Sequence, residues 1–174
     1  MAQFNENENE ILIIDDVPEN LTILTQMLAK QGYRPRPVIN GEVALKSAQK
    51  TPPDLILLDI MMSGMDGYEV CRQLKADKRT RDIPVIFLSV LGDTENKVRG
   101  FEVGGVDYIT RPFEVGEVLA RVETHLTLRN IQKQLQEQNV QLRQEIIERK
   151  RAEEALHQTE GTLQQRTQEL TLIN

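Results

Sequence analysis

Three aspartates stand at the ends of two apolar runs: Asp15 and Asp16 follow Ile11-Leu12-Ile13-Ile14, and Asp59 follows Leu55-Ile56-Leu57-Leu58. Each run is short, rich in branched side chains and followed by turn-like residues, which predicts a strand buried on both faces of a parallel sheet. The acids then lie at the carboxyl ends of neighbouring strands, the edge where open α/β sheets form their ligand sites. Carboxylates converging there repel one another unless a hard cation is bound, and Mg²⁺ with oxygen ligands is the natural choice. Such a cluster points to phosphate chemistry, with Asp59 as a metal ligand or as the acceptor.

The elements that must position these acids are readable from periodicity. Strands are expected at 10–15, 33–38, 54–59, 84–89 and 106–109, with helices at 18–31, 41–50, 67–77, 94–103 and from Glu114 onward. Five βα units of this size predict a doubly wound parallel sheet with helices on both faces, an α/β fold. Asp16 is placed to cap the first helix, with Pro18 in its first turn and Glu19 behind it. Gly104-Gly105 is expected to stop the fourth helix before the fifth strand.

Composition narrows the function classes. A net charge of −6 over 174 residues leaves no basic surplus for non-specific binding to nucleic acid or anionic lipid. Cys71 is alone, so no disulfide can form within the chain, and a reducing compartment is the simpler expectation. Residues 1–8 are polar, acidic and read as disordered. They lack the pattern of a secretory signal, and no apolar run is long enough to span a membrane, so a soluble, cytoplasmic protein is expected. His125 and His157 have no spacing that suggests metal or catalysis. Glu148-Arg149-Lys150-Arg151, flanked by Glu145, Glu153 and Glu154, reads as a solvated helix face.

The last helix carries two patterns. Val115, Val118, Leu119, Val122 and Leu126 form an apolar stripe that can dock on the sheet. Beyond it, Leu128, Leu135, Leu142, Leu156, Leu163 and Leu170 share one seven-residue register, broken only by Arg149. A helix over 126–173 is roughly 70 Å long at 1.5 Å per residue, and a bare leucine seam of that length calls for a partner helix. With the leucines at d, the a positions are mostly polar. Asn139 among them favours a parallel dimer in register, and Glu145 and Lys150 have the spacing of an interchain ion pair. A coiled coil of marginal stability is expected, and it suits switching.

Residues 9–128 resemble the receiver domain of two-component response regulators. The resemblance rests on motifs in order: Asp15-Asp16; Asp59 in Leu-Leu-Asp-Ile-Met-Met-Ser-Gly-Met-Asp-Gly; Ser89 in Val-Ile-Phe-Leu-Ser; Tyr108; and Arg111-Pro112-Phe113 in place of the usual Lys-Pro-Phe. It implies a flavodoxin-like sheet of order 2-1-3-4-5, followed here by the coiled-coil helix at 129–174. It also implies Mg²⁺ held by Asp16, Asp59 and the Met61 carbonyl, with Asp15 acting through water. Asp59 would accept a phosphoryl group from a histidine kinase or phosphotransfer protein. Ser89 would bond the new phosphoryl oxygens, Tyr108 would turn inward, and Pro112 would follow a cis bond. The state would then pass to a homodimer through the coiled coil.

Three departures stand out. Arg111 replaces the lysine that reaches the phosphate, keeping the charge on a longer planar fork. Val90 follows the switch serine where a small residue is common and is expected to narrow access to the site. Ser63 stands where proline is usual and is expected to loosen the loop after the acceptor. These departures leave a second reading open, a pseudo-receiver that keeps the fold and serves only for dimerisation. A hydrolase of the haloacid-dehalogenase type also uses an aspartyl phosphate, but it needs an acid two residues on, where this chain has Met61. The chain itself is therefore not expected to be an enzyme. The tail resembles helices that join receivers to output domains, so a missing output domain is expected.

Overall fold

A computed structural model describes residues 9–90 and 94–171 of the chain. The expectations for residues 1–8, and for the last residues of the expected helix at 172–174, lie outside the described residues. Five strands alternate with five helices: β1 (Glu10–Ile14), α1 (Pro18–Ala29), β2 (Arg34–Val38), α2 (Gly41–Lys50), β3 (Leu55–Asp59), α3 (Gly67–Ala76), β4 (Val85–Ser89), α4 (Thr94–Glu102), β5 (Asp107–Thr110) and α5 (Val115–Thr171). The strands pair in parallel in the order β2-β1-β3-β4-β5, the flavodoxin-like arrangement. Every strand lies within one residue of its expected span; for β1, β3 and β4 the reason is that continuous apolar runs between turn residues leave a parallel strand few other places to start or stop.

All residues of β3 and β4 are buried, and their side chains alternate between two cores. Leu12, Ile14, Ile56, Leu58, Val85 and Phe87 face Ala44 and Leu45 of α2 and Val70, Cys71 and Leu74 of α3. Ile11, Ile13, Leu55, Leu57, Ile86, Leu88 and Ile109 face Leu21, Leu24 and Leu28 of α1 and Val118, Val122 and Leu126 of α5. Each such side chain removed from water stabilises the fold by about 1.5–3 kcal/mol. Val115, read into the same stripe, is instead 49 % exposed, since it sits in the first turn of α5 outside that packed face.

The edge strand β2 is Arg-Pro-Arg-Pro-Val. The Arg34 N–H donates inward, to Asn9 O. Pro35 and Pro37 occupy the alternate positions, which face away from the sheet, so at those positions this edge offers an incoming strand no N–H donor.

The chain divides into two compact units, Met1–Arg129 and Asn130–Asn174, and α5 has residues in both. Within the first unit, Arg129 donates to the carbonyls of Pro53 (3.2 Å) and Asp54 (2.7 Å), just ahead of β3. The described part of the second unit is helical, and residues 130–170 are all exposed. Its leucines run from 55 % exposed at Leu142 to 69 % at Leu170. Among the described residues no helix is long and apolar enough to cross a membrane.

Leu57 is fully buried between β1, β4 and the α1–α5 layer. Leu57→Ala should cost about 2–5 kcal/mol in equilibrium denaturation, through lost burial and the cavity left behind. A cost below about 1 kcal/mol would contradict the packing described.

Candidate functional site

β1 pairs with β3 so that Ile14 lies beside Leu58, and the next residues on each strand are Asp15 and Asp59. Asp15 is completely buried, Asp59 is 2 % exposed, and Asp16 is half-buried. One carboxylate oxygen from each lies within 4.8 Å of the other two. The sheet brings the three acids together as the sequence predicts. Gly67, at the start of α3, lies against the Asp59 carbonyl, and a Cβ there would overlap that oxygen. With the Gly67 N–H on Ile60 O at 2.9 Å, the return of the chain seals the loop that begins at Met61. The Met61 side chain itself is exposed, and its N–H points to Asp59 Oδ1 at 3.4 Å.

Arg111 enters from the end of β5, after which the Arg111–Pro112 bond is cis, as the resemblance implies. A single nitrogen, Nη2, lies 2.8 Å from Asp15 Oδ2 and 2.9 Å from Asp59 Oδ1. The guanidinium therefore bridges the two buried acids, a role beyond the phosphate contact that the sequence suggests. It does not neutralise the site fully. Burial, and then the charge of Asp15, push the Asp59 carboxyl above the usual carboxylate range despite Arg111. Burial likewise raises Asp15, against the Val17 N–H and Arg111, which pull it down.

Two expectations about this loop cluster are corrected. Asp16 does not cap α1: the N-cap residue is Val17, with no side-chain cap. Asp15 instead serves that turn, accepting from the Val17 N–H (2.9 Å) and Asn20 Nδ2 (3.0 Å). Asp16 faces the β3–α3 loop, where the Ser63 N–H (2.8 Å) and Oγ (2.9 Å) both donate to its Oδ2. Ser63 therefore ties the loop down rather than loosening it, because serine brings two donors where proline has none.

Ser89 ends β4 and is 3 % exposed, and Val90 after it is 54 % exposed. Tyr108 is 4 % exposed, stacked on Phe87 (5.6 Å between centroids) and edge-on to Phe101 (5.2 Å). The resemblance implies an inward turn on activation, and here the ring is already inward. Gly100 permits this, since a Cβ at that position would overlap the Tyr108 hydroxyl. Gly104 and Gly105 close α4 through N–H bonds to Phe101 O and Gly100 O, as expected. Cys71 is a buried small hydrophobe, its thiol pushed up to about 11 by burial.

Sequence reading missed a cluster on α5. Asp107 accepts from Arg121 (2.6 Å) and contacts His125 Nε2 (2.9 Å). Burial would raise the Asp107 carboxyl, but hydrogen bonds from His125 and Arg121 outweigh it and hold it below the usual range. The signal lay in the spacing: Arg121, His125 and Arg129 repeat every four residues beside Val118, Val122 and Leu126, which marks the polar margin of a docked helix face.

The acidic cluster suits a hard divalent cation. Asp59 Oδ2 and Ser89 Oγ are buried polar atoms with no hydrogen-bond partner, which a ligand at this edge would satisfy. Residues 11–123 match the family described as response regulator receiver domain. A Vibrio cholerae protein named "Probable cyclic di-GMP phosphodiesterase" is 42 % identical over 149 residues, covering 86 % of this chain and 34 % of its own. The signal receiver domain of a histidine kinase from Syntrophus aciditrophicus is 39 % identical at a TM-score of 0.64, covering 68 % of this chain and 90 % of that one. The receiver domain of sensor histidine kinase PA1611 from Pseudomonas aeruginosa, solved with a magnesium ion in its active site cleft, is 30 % identical at a TM-score of 0.65, covering 69 % and 98 %. The chain spans between a quarter and about half the length of the curated relatives it matches.

Since the folded-state pKa of Asp59 lies above its unfolded value, the protonated form stabilises the fold at low pH, and this is lost as pH rises through the folded value. Ionised Asp59 thus costs stability at pH 7. Without metal, Asp59→Asn should raise Tm at pH 7, with the gain shrinking as pH falls into the carboxylate range. A lower Tm for the variant at pH 7 would contradict the electrostatics described.

Proposed function

The chain belongs to the response regulator receiver domain family, and on that premise we propose that it is a phosphoacceptor module, modified on Asp59 and relaying that state through α5. The observation that carries the proposal is the pair of unpartnered buried atoms, Asp59 Oδ2 and Ser89 Oγ, beside three clustered carboxylates. Arg111 occupies Oδ1 of Asp59 and leaves the lone pairs of Oδ2 free for attack. A bond forms from that oxygen to phosphorus as the phosphorus–nitrogen bond of a phosphohistidine breaks, and the electron pair stays on the imidazole of the kinase or phosphotransfer protein. Asp15, Asp16 and Asp59, with the Met61 carbonyl, would hold Mg²⁺, which neutralises charge on the phosphoryl oxygens. Ser89 Oγ then has an acceptor, and Arg111 lies within reach of the new anion.

The relay follows from β5 and α5. Tyr108 stacks on Phe87 of β4, the strand that ends in Ser89. Asp107, one residue before Tyr108, holds Arg121 and His125 of α5. An anion bound by Ser89 is thereby linked through two strands to the helix whose leucine seam is exposed. We assign that seam to a second copy of the chain, paired in parallel through Leu135, Asn139 and Leu142. The likeness to the Vibrio protein is longer than the unit Met1–Arg129, so it continues into the helix, in keeping with a linker to an output domain. The intact acceptor set speaks against a pseudo-receiver.

Incubation with acetyl phosphate and Mg²⁺ should add one phosphoryl group by intact mass to the wild type and none to Asp59→Asn. No adduct from either acetyl phosphate or a phosphorylated kinase would overturn the acceptor assignment. Cys71 is buried with a raised thiol pKa, so Leu135→Cys supplies a selectively reactive thiol. Cross-linking between copies at position 135 should change at least twofold with beryllofluoride and Mg²⁺. Identical cross-linking in both states would contradict the relay.

A further inference from the structure

We infer that Ser63 is a positioning residue for the metal site, orienting the Asp16 carboxylate; this rests on the reading that the acidic cluster holds a divalent cation. Asp16 is the acid of the cluster that burial does not fix. It is half-buried, whereas Asp15 and Asp59 are locked in the sheet edge and bridged by Arg111. Its carboxylate is held by Ser63, whose N–H and Oγ converge on one oxygen, Oδ2, at 2.8 and 2.9 Å. The second oxygen, Oδ1, stays outside this pair of hydrogen bonds. A carboxylate whose one oxygen is pinned by two donors from a neighbouring loop is arranged as ligating carboxylates are when an outer partner orients them.

Ser63 is itself well placed to do this. On one side Ile60 and Met62 are buried in the core, 3 % and 9 % exposed. On the other, Asp66 Oδ1 accepts the Glu69 N–H and caps α3. The loop is therefore anchored on both sides of the serine, and the contact with Asp16 joins segments 47 residues apart. Proline, the residue the family resemblance leads one to expect here, has neither a backbone N–H nor a hydroxyl and would leave Asp16 without both donors.

The test is Mn²⁺ affinity of the full chain, read by electron paramagnetic resonance. Ser63→Ala removes the hydroxyl and should weaken Mn²⁺ binding about tenfold, the low end for a lost outer-shell partner. Ser63→Pro removes both donors and should weaken it at least as much. Ser63→Thr keeps both and should restore wild-type affinity, which a role in loop packing alone would not require. Wild-type affinity, or tighter, in Ser63→Ala and Ser63→Pro would overturn the positioning role while leaving the metal site standing. A wild type that binds no Mn²⁺ would overturn the metal reading and this inference with it.

Discussion

Burying two carboxylates side by side, with a third at their margin, is the constraint on which this structure turns. Asp15 and Asp59 sit at the ends of adjacent strands because β1 and β3 pair in register, and the apolar contacts that fix that register are the ones that desolvate the acids. Hydrophobic burial on both faces of the sheet offsets the electrostatic cost locally imposed at its edge. The protein's own answer is partial. Arg111 spans both buried acids, Ser63 and Asn20 donate to their neighbourhood, and still both acids titrate above the usual range and Asp59 keeps one oxygen unpartnered. A site left short of positive charge in this way suits a divalent cation, which is what the proposed phosphoacceptor role requires.

Much of this was legible in the sequence because parallel strands announce themselves. Ile11–Ile14, Leu55–Leu58 and Val85–Leu88 are continuous apolar runs with no competing helical period, so their ends, and the acids or hydroxyl standing there, are placed by chain order alone. Side-chain partnerships were less legible. Asp16 as a helix cap and Ser63 as a loosening residue are each sound readings from local sequence, and both failed because the two residues find each other across 47 positions. The same limit hid the Asp107–Arg121–His125 cluster, although its four-residue spacing on α5 marked one helix face. The Tyr108 ring lies inward for a reason that only packing reveals, the missing side chain at Gly100.

Helix α5 serves two tasks with different physics. From Val118 to Arg129 it is held by buried aliphatics on one stripe and by Asp107, Pro53 and Asp54 on the next. From 130 to 170 it exposes every described side chain, and its leucines repeat every seven residues without the apolar a positions of a strong coiled coil. Stability in the first stretch comes from the sheet and in the second, on the proposed reading, from association, so a small change at β5 could then compete with a weak seam where it could not compete with a strong one. The proposed relay depends on that imbalance.

The most direct test of the central claim is the melting temperature of the metal-free chain titrated with Mg²⁺, compared with Asp16→Asn. A cation that binds only the folded cluster stabilises it by mass action, so the wild-type Tm should climb with the logarithm of Mg²⁺ concentration while that of the variant stays nearly flat. A wild-type Tm indifferent to Mg²⁺ up to tens of millimolar would mean that the clustered carboxylates are satisfied by Arg111 and Ser63 alone. The acidic edge would then be a structural feature, and the phosphoacceptor account would fall with it.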